Sequence, residues 1–119
     1  MNNKPASLTE IFLQSKKETL YKQLLLQLNK DFARAGIDVV LQPNIAANDL
    51  TKQLVRIIDE TIHHDFSTFL NLLYAIDVSE EKIKQLTTKD TTLYIEKVTY
   101  LIVFRQWQKV WMRNKYRSN

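Results

Sequence analysis

Apolar residues recur at helical spacing over the first part of the chain. Steps of three, four and seven residues connect Leu13, Leu20, Leu24, Leu28, Phe32 and Ala35. Such steps place side chains on one face of a helix with 3.6 residues per turn. Ser7 and Glu10 form a capping-box pattern, and Gly36 can adopt the left-handed conformation that ends a helix. We therefore predict one continuous helix over about 8–34.

A second periodic stretch begins at Asn48 and continues for about six turns. Its apolar positions are Leu50, Leu54, Ile57, Ile58, Ile62, Phe66, Phe69, Leu70 and Leu73. A His-His-Asp sequence at 63–65 interrupts the stretch, and Asp65 is a residue type that favours the first position of a new helix. The pattern fits either one long helix or two helices, over about 48–63 and 65–76.

Two shorter signals follow nearer the end of the chain. Ser79 precedes two glutamates, which favours a helix start because the hydroxyl caps the first turn and acids are stabilised at the positive helix end. This helix is predicted over about 80–87. Asp90 or Thr91 can cap a final helix over about 91–116.

The composition narrows the fold class. The segment 36–47 has no helical period and contains Pro43, which predicts a connecting loop with at most a short extended piece. One glycine, two prolines and no cysteine occur among the 119 residues. A turn-rich β sandwich, a glycine-dependent phosphate loop, disulfides and thiolate metal sites all need residues that are scarce or missing here. We predict an all-α fold, a single-domain bundle of four to five helices over residues 1–119.

The hydropathy of the chain also bears on its location. No apolar run approaches the ~18 residues of a membrane-spanning helix, and lysines interrupt the apolar runs of the first twenty residues. The absence of cysteine suits a reducing compartment. The sequence therefore predicts a soluble, cytoplasmic protein with no membrane partner.

The last predicted helix carries two distinct sides. A helical projection places Leu93, Tyr100, Phe104, Trp107 and Trp111 in one continuous stripe. We predict that this stripe faces the core and that both tryptophans are substantially buried, Trp107 more centrally. On another side, Ile95, Val98 and Ile102 are followed by four cations, which we call the basic row: Arg105, Lys109, Arg113 and Arg117. The helix should therefore be buried all round at first and then emerge into solvent.

The basic row is the candidate site for an anionic partner. The net charge is +4, and residues 91–119 hold six Lys/Arg against one acid. The row fits either favourable placement of cations near a helix C-terminus or contact with phosphates or an acidic protein surface. Proteins that bind single strands put stacking aromatics and cations on one surface. Because the tryptophans are predicted across the helix from the row, this arrangement disfavours single-strand binding.

The residues with catalytic or metal-binding chemistry do not form a complete set. His63 and His64 point about 100° apart on a helix, and each can pair only with the acid four residues before it, Asp59 or Glu60. Two ligands are too few for a zinc site. Serines and threonines lie mostly at caps and turns, with no Gly-x-Ser-x-Gly motif. We expect no catalytic residue, no metal, no cofactor and no enzymatic activity.

Surplus apolar positions point to an interaction surface instead. Within 20–28, Leu26 lies well off the line through the other leucines, and we predict that Leu26 and Phe12 reach a second chain. The leading interpretation is a non-enzymatic helical module that binds a protein partner or forms a homo-oligomer. The alternative is a nucleic-acid-associated protein that uses the basic row.

Three phrases of the sequence carry a family resemblance: "QLNKDFARAGID" at 27–38, "FLNLLYAIDVSEEKIKQL" at 69–86 and "FRQWQKVWMRNKY" at 104–116. Together they resemble an uncharacterised family of small all-helical bacterial proteins. The resemblance implies a small cytoplasmic helical protein and carries no activity with it.

Overall fold

A computed structural model of the protein describes residues 4–117. Residues 1–3 and 118–119, the two ends of the predicted domain, lie outside the described residues. The described chain forms six helices: α1 (Leu8–Lys17), α2 (Tyr21–Ala35), α3 (Ala47–His64), α4 (Phe66–Ile76), α5 (Glu80–Lys84) and α6 (Thr91–Arg117). Helices account for 75% of this part of the chain, which contains no strand. The all-α prediction is confirmed, whereas the predicted count of four to five helices is too low by one or two.

The extra helix arises because the stretch predicted as one helix over 8–34 is broken at Thr19. This residue has a φ of 58°, in the left-handed region, and the amide of Leu20 bonds to the carbonyl of Ser15 at 2.7 Å. Such a bond pattern closes a helix C-terminus. Leu20 is buried on the far side of the break. The apolar spacing continues across the break, so periodicity alone predicted one helix.

A substitution at Thr19 tests this helix break. A β-branched residue is disfavoured at positive φ, whereas Asn tolerates it. We expect Thr19→Asn to stabilise the protein by about 0.5 to 1 kcal/mol, measured by urea unfolding. Thr9→Asn, at an exposed position inside α1, is the matched control and should give no gain. A loss of stability in Thr19→Asn, or an equal gain in both variants, would contradict the described turn.

Asp65 separates α3, which ends at His64, from α4, and this settles the two alternatives in favour of two helices. The carboxylate of Asp65 accepts hydrogen bonds from the Thr68 hydroxyl at 2.7 Å, the Thr68 amide at 3.2 Å and the Ser67 hydroxyl at 3.0 Å. These donors stabilise the charged form and lower the pKa of Asp65. Asp65 therefore acts as the helix cap that its position in the sequence indicates.

Side chains of α2 hold the loop between α2 and α3 in place through hydrogen bonds to its backbone. The Asn29 amide donates to the carbonyl of Leu41 at 3.1 Å and accepts from its N–H at 2.7 Å. The Tyr21 hydroxyl donates to the carbonyl of Ile45. Because Leu41 is itself buried, this loop contributes to the core despite its lack of helical structure.

Helix α6 lies at the centre of the molecule, in contact with α1, α2, α3 and α4. Its buried residues are Ile95, Val98, Thr99, Ile102, Val103, Gln106, Trp107 and Val110. Every described residue after Trp111 is exposed, so α6 emerges from the core as predicted. Its first turns are not buried all round, however, because Leu93, Glu96 and Lys97 are exposed. None of the helices within 4–117 is long and apolar enough to cross a membrane.

The predicted orientation of α6 needs correction. Trp107 is fully buried, but Trp111 is only half-buried and Leu93 is 41% exposed. The buried face is centred between the two apolar sides that the sequence shows, at Thr99 and Gln106. Two polar residues therefore occupy the middle of the buried face, and the predicted aromatic stripe is its edge.

Candidate functional site

The first member of the basic row is paired within the chain. A guanidinium nitrogen of Arg105 lies 3.3 Å from a carboxylate oxygen of Asp77, which follows the end of α4. The Asp77 side chain is 83% exposed, so the pair is open to water on one side. Exposed pairs of this kind are weak, but this one directs Arg105 along the protein surface and towards α4.

Two further members of the row turn towards α2. Arg113 donates to the side-chain oxygen of Gln27 at 3.0 Å. Lys109 is half-buried; burial, and secondarily the charge of Arg105, lower the pKa of its ammonium group. Arg117 is exposed. The row thus follows the buried side of α6 as that side reaches the surface. Arg105 and Lys109 are half-buried, whereas Arg113 is exposed and keeps one contact with Gln27.

Arg113 reaches from the surface to a buried polar group made of Gln27, Asp31 and Gln106. We call these four residues the Asp31 cluster. Asp31 is only 1% exposed. The Gln27 amide lies 3.1 Å from both carboxylate oxygens, and the Gln106 amide donates to one of them at 3.1 Å. Because Arg113 binds the oxygen of Gln27, the cluster connects α2 to α6 from the core outward. Hydropathy patterning along the chain did not predict this cluster.

A signal for the Asp31 cluster was nevertheless present in the sequence. Asp31 follows Leu24 and Leu28 at helical spacing, so an acid lies on the apolar face of α2. A buried carboxylate needs donors. The amide of Gln106 lies 75 positions further along the chain, and nothing in local periodicity predicts that contact.

The Asp59–His63 pair forms as its spacing predicts. The Nδ1 atom of His63 lies 2.8 Å from a carboxylate oxygen of Asp59, and both side chains are about half exposed. Among residues 4–117, no group of three or more His, Asp or Glu side chains is placed to hold a metal ion. The pair by itself supplies two ligands, fewer than a zinc site requires.

A cleft of about 480 Å³ opens between the start of α1, α3 and α6. We call it the apolar cleft, after the residues that line most of its walls: Leu8, Val55, Leu86, Leu93, Tyr100 and Leu101. Glu96 and Lys97 contribute opposite charges to the lining. The Tyr100 hydroxyl donates to the carbonyl of Pro5, which fixes the chain before α1 beside the cleft.

The two residues predicted to reach a second chain lie in different environments. Phe12 is fully buried, so its proposed role in association is wrong. It packs edge-on to Tyr21, with ring centroids 6.3 Å apart. Leu26 is 61% exposed on α2 and does not line the apolar cleft. The sequence thus identified an exposed leucine but not the cleft, whose walls come from distant parts of the chain.

Comparisons with protein families, curated proteins and solved structures found no match to this chain. The resemblance to an uncharacterised family of bacterial helical proteins therefore stays a prediction.

The contacts of the basic row with other parts of the protein lead to a prediction about binding of duplex DNA. We expect weak binding that disappears at ~150 mM salt, because few cations are free to displace counterions from phosphates. The measurement is fluorescence anisotropy with the parent and with a variant that carries Arg105, Lys109, Arg113 and Arg117 all changed to Gln. Circular dichroism should verify that the variant is folded. Submicromolar binding at ~150 mM salt that the variant loses would make the row a phosphate-binding surface.

Proposed function

We propose that this chain is a non-enzymatic, cytoplasmic protein-interaction module that receives the apolar face of a partner helix in the apolar cleft. The cleft itself is the observation that supports the proposal. Its apolar wall remains accessible, since Leu93 is 41% exposed. Accessible apolar surface of this kind is a common feature of protein interaction sites.

The α6 wall of the cleft is long enough to hold a short partner helix. The α6 wall runs from Leu93 to Leu101, which corresponds to about 12 Å at 1.5 Å per residue. This length accommodates roughly two turns of a second helix, whose anchors would recur at helical spacing. No strand edge is available for β-augmentation within residues 4–117. At the cleft, Glu96 and Lys97 offer charges of both signs to fix the register of a partner.

The hydroxyl groups along the cleft support a binding role over catalysis. The Ser7 hydroxyl caps α1 by accepting from the amide of Glu10 at 3.2 Å, and the Thr51 hydroxyl donates to the carbonyl of Ala47 at 3.0 Å. Burial, and then the charge of Glu10, raise the pKa of Tyr100, so its hydroxyl stays protonated. Thr9 also lines the cleft. The contacts of Ser7, Thr51 and Tyr100 are with backbone groups, and none of these three is paired with a general base in the way that an activated nucleophile requires.

The proposal can be tested with a matched pair of leucine substitutions. Leu93→Glu introduces a charge into the cleft at the first turn of α6, where an acid is favourable for the helix. Leu26→Glu makes the same change at an exposed position outside the cleft. A tagged chain would recover partners from a lysate of the source cells, and a purified partner would then be titrated with each variant.

We expect the parent and Leu26→Glu to bind the purified partner equally, and Leu93→Glu to bind at least about tenfold more weakly. Loss of one buried leucine contact is sufficient for such a change. Light scattering on each variant alone tests a second copy as the partner: self-association lost only in Leu93→Glu would assign the cleft to a homo-oligomer. Undiminished partner binding and unchanged assembly in Leu93→Glu would contradict the proposal.

A further inference from the structure

The outer side of α6 carries two half-buried aromatic rings, each covered by an ammonium group. The Lys4 Nζ lies 5.0 Å from the ring centroid of Phe104, and the Lys115 Nζ lies 4.9 Å from the ring of Trp111. The two aromatic residues are seven positions apart, which places them about two turns or 10 Å apart along the helix. Cations and aromatic rings therefore occupy one surface here, in contrast to the arrangement along the basic row.

Two depressions join these residues into one groove. The first, of about 210 Å³, is bounded by Lys4, Phe104, Gln108, Trp111 and Met112. The second, of about 320 Å³, shares three of these residues and extends past Arg105 to Lys82. We call the combined surface the α6 groove.

The rings of the α6 groove are held in place by neighbours. Tyr100 stacks on Phe104 with centroids 5.7 Å apart and an angle of 8° between the planes. The indole N–H of Trp111 donates to a carboxylate oxygen of Glu18 at 3.0 Å. These contacts fix the rings while leaving each of them partly accessible. A fixed ring loses little conformational freedom when a ligand stacks on it.

The charge of the groove selects an anionic ligand. Lys4, Lys82 and Arg105 line it, and Lys115 lies over the ring at its other end. Asp77 lies in the lining and is paired with Arg105, and the Glu18 carboxylate lies beside Trp111 at the other end. Four cations therefore stand against two acids. Net positive charge beside accessible aromatic faces is the combination by which proteins hold single-stranded nucleic acid, because bases stack while phosphates are neutralised.

We propose that the α6 groove binds single-stranded nucleic acid, with bases stacked on Phe104 and Trp111 and phosphates held by Lys4 and Lys115. Base stacking on an aromatic ring is stronger than an exposed cation–π contact, so a base displaces each ammonium group from its ring. The released lysine remains within reach of the adjacent phosphate. Gln108, between the two rings, offers an amide to base edges.

The α6 groove adjoins the apolar cleft, since Leu101 lines both, but its aromatic rings and cations lie outside the cleft. The groove extends the function beyond protein interaction. Leu93, the residue that tests the cleft, does not line the α6 groove. Failure of one proposal therefore leaves the other intact. The groove recognises a base joined to a phosphate, and a free nucleotide presents the same groups as a nucleic-acid strand. The experiment below distinguishes the strand from the free nucleotide.

The experiment is fluorescence anisotropy with a labelled oligothymidine of about 12 nucleotides, within the range that small single-strand sites cover. A Lys4→Gln/Lys115→Gln variant removes the two proposed phosphate contacts. Lys16→Gln/Lys30→Gln is the matched control: it removes the same charge, and Lys16 also lies over a ring, 4.7 Å from that of Tyr21. Circular dichroism establishes that every variant is folded.

We expect the groove variant to bind the oligothymidine at least about fivefold more weakly than the control variant. The slope of log affinity against log salt concentration should become smaller by about 1.4, or 0.7 for each lost phosphate contact. Trp111→Leu should lose about tenfold in affinity, whereas Trp111→Phe should retain most of it, because a stacking ring is kept. A duplex should bind more weakly than the single strand.

Adenosine monophosphate distinguishes the sources of the ligand. Weak binding of the mononucleotide supports a strand as the ligand, while affinity equal to that of the oligomer supports a free nucleotide in the same groove. No oligothymidine binding at ~50 mM salt, or equal losses in the groove and control variants, would overturn the proposal. Equal competition by an acidic peptide without bases would overturn it as well.

Discussion

Replacing Trp107 with Ala is expected to destabilise the protein by about 3 to 5 kcal/mol, the range observed for deletion of core aromatic side chains. Trp107 is the largest of the fully buried side chains among the described residues. It lies on α6, which four other helices contact, so the cavity left behind cannot be closed by movement of a single neighbour. The cost is therefore expected in the upper part of this range.

A second substitution separates the loss of volume from the loss of the indole N–H. The Nε1 atom of Trp107 is buried and has no acceptor among residues 4–117. Trp107→Phe removes this donor and keeps much of the ring, so we expect it to cost clearly less than Trp107→Ala. The measurement is the free energy of unfolding in urea for the parent and each variant, and an unchanged m-value shows that the difference is one of stability.

The half-buried Trp111 provides the comparison for these variants. Its indole N–H is bonded to Glu18, and part of the ring is already in contact with solvent. Trp111→Ala should therefore cost less than Trp107→Ala. An unfolding midpoint for Trp107→Ala equal to that of the parent would contradict the central position of this residue.

Local chemistry was sufficient to predict several helix starts. Ser7 and Ser79 accept from amides three residues later, and the Asp90 carboxylate accepts from the amide of Leu93 at 3.0 Å. Such caps act over one turn and are visible in a short window of sequence. The break at Thr19 was not visible, because it uses neither glycine nor proline and the apolar spacing continues through it.

The orientation of α6 was harder to predict, because burial on several sides removes the contrast between faces. Thr99 and Gln106 lie in the middle of its buried face, and their polar side chains give no hydropathy signal of burial. Thr99 needs no distant partner, since its hydroxyl donates to the carbonyl of Ile95 at 2.7 Å. Gln106 is buried because Asp31 accepts its amide, and that contact is formed only by the tertiary fold.

The candidate surfaces depend on the same long-range contacts. The ammonium of Lys4 lies over Phe104, and Arg113 is bonded to Gln27, which is 86 positions away. No local pattern predicts either contact. The sequence correctly located the cations of α6, but it could not show which of them turn inward and which accompany the aromatic rings.

The Asp31 cluster predicts the second large effect on stability. Replacing Asp31 with Ala should destabilise the protein by about 2 to 4 kcal/mol, because the buried amides of Gln27 and Gln106 lose their acceptor. The negative charge of Asp31 also favours the ammonium of the half-buried Lys109. Its removal leaves Lys109 beside Arg105 without that compensation, which adds to the cost.

Asp31→Asn tests whether the hydrogen bonds or only the volume matter. Gln27 is held in one orientation because its oxygen accepts from Arg113. The side-chain oxygen of Gln106 is buried and has no donor among the described residues. If the Gln106 amide rotates by 180°, this oxygen can accept a hydrogen bond from the NH2 group of the new asparagine. We therefore expect Asp31→Asn to cost less than Asp31→Ala.

The exposed Asp38→Ala, the control for loss of a carboxylate, should change the unfolding free energy by less than about 0.5 kcal/mol. Equal effects of Asp31→Ala and Asp38→Ala in urea unfolding would show that the buried cluster does not stabilise the contact between α2 and α6.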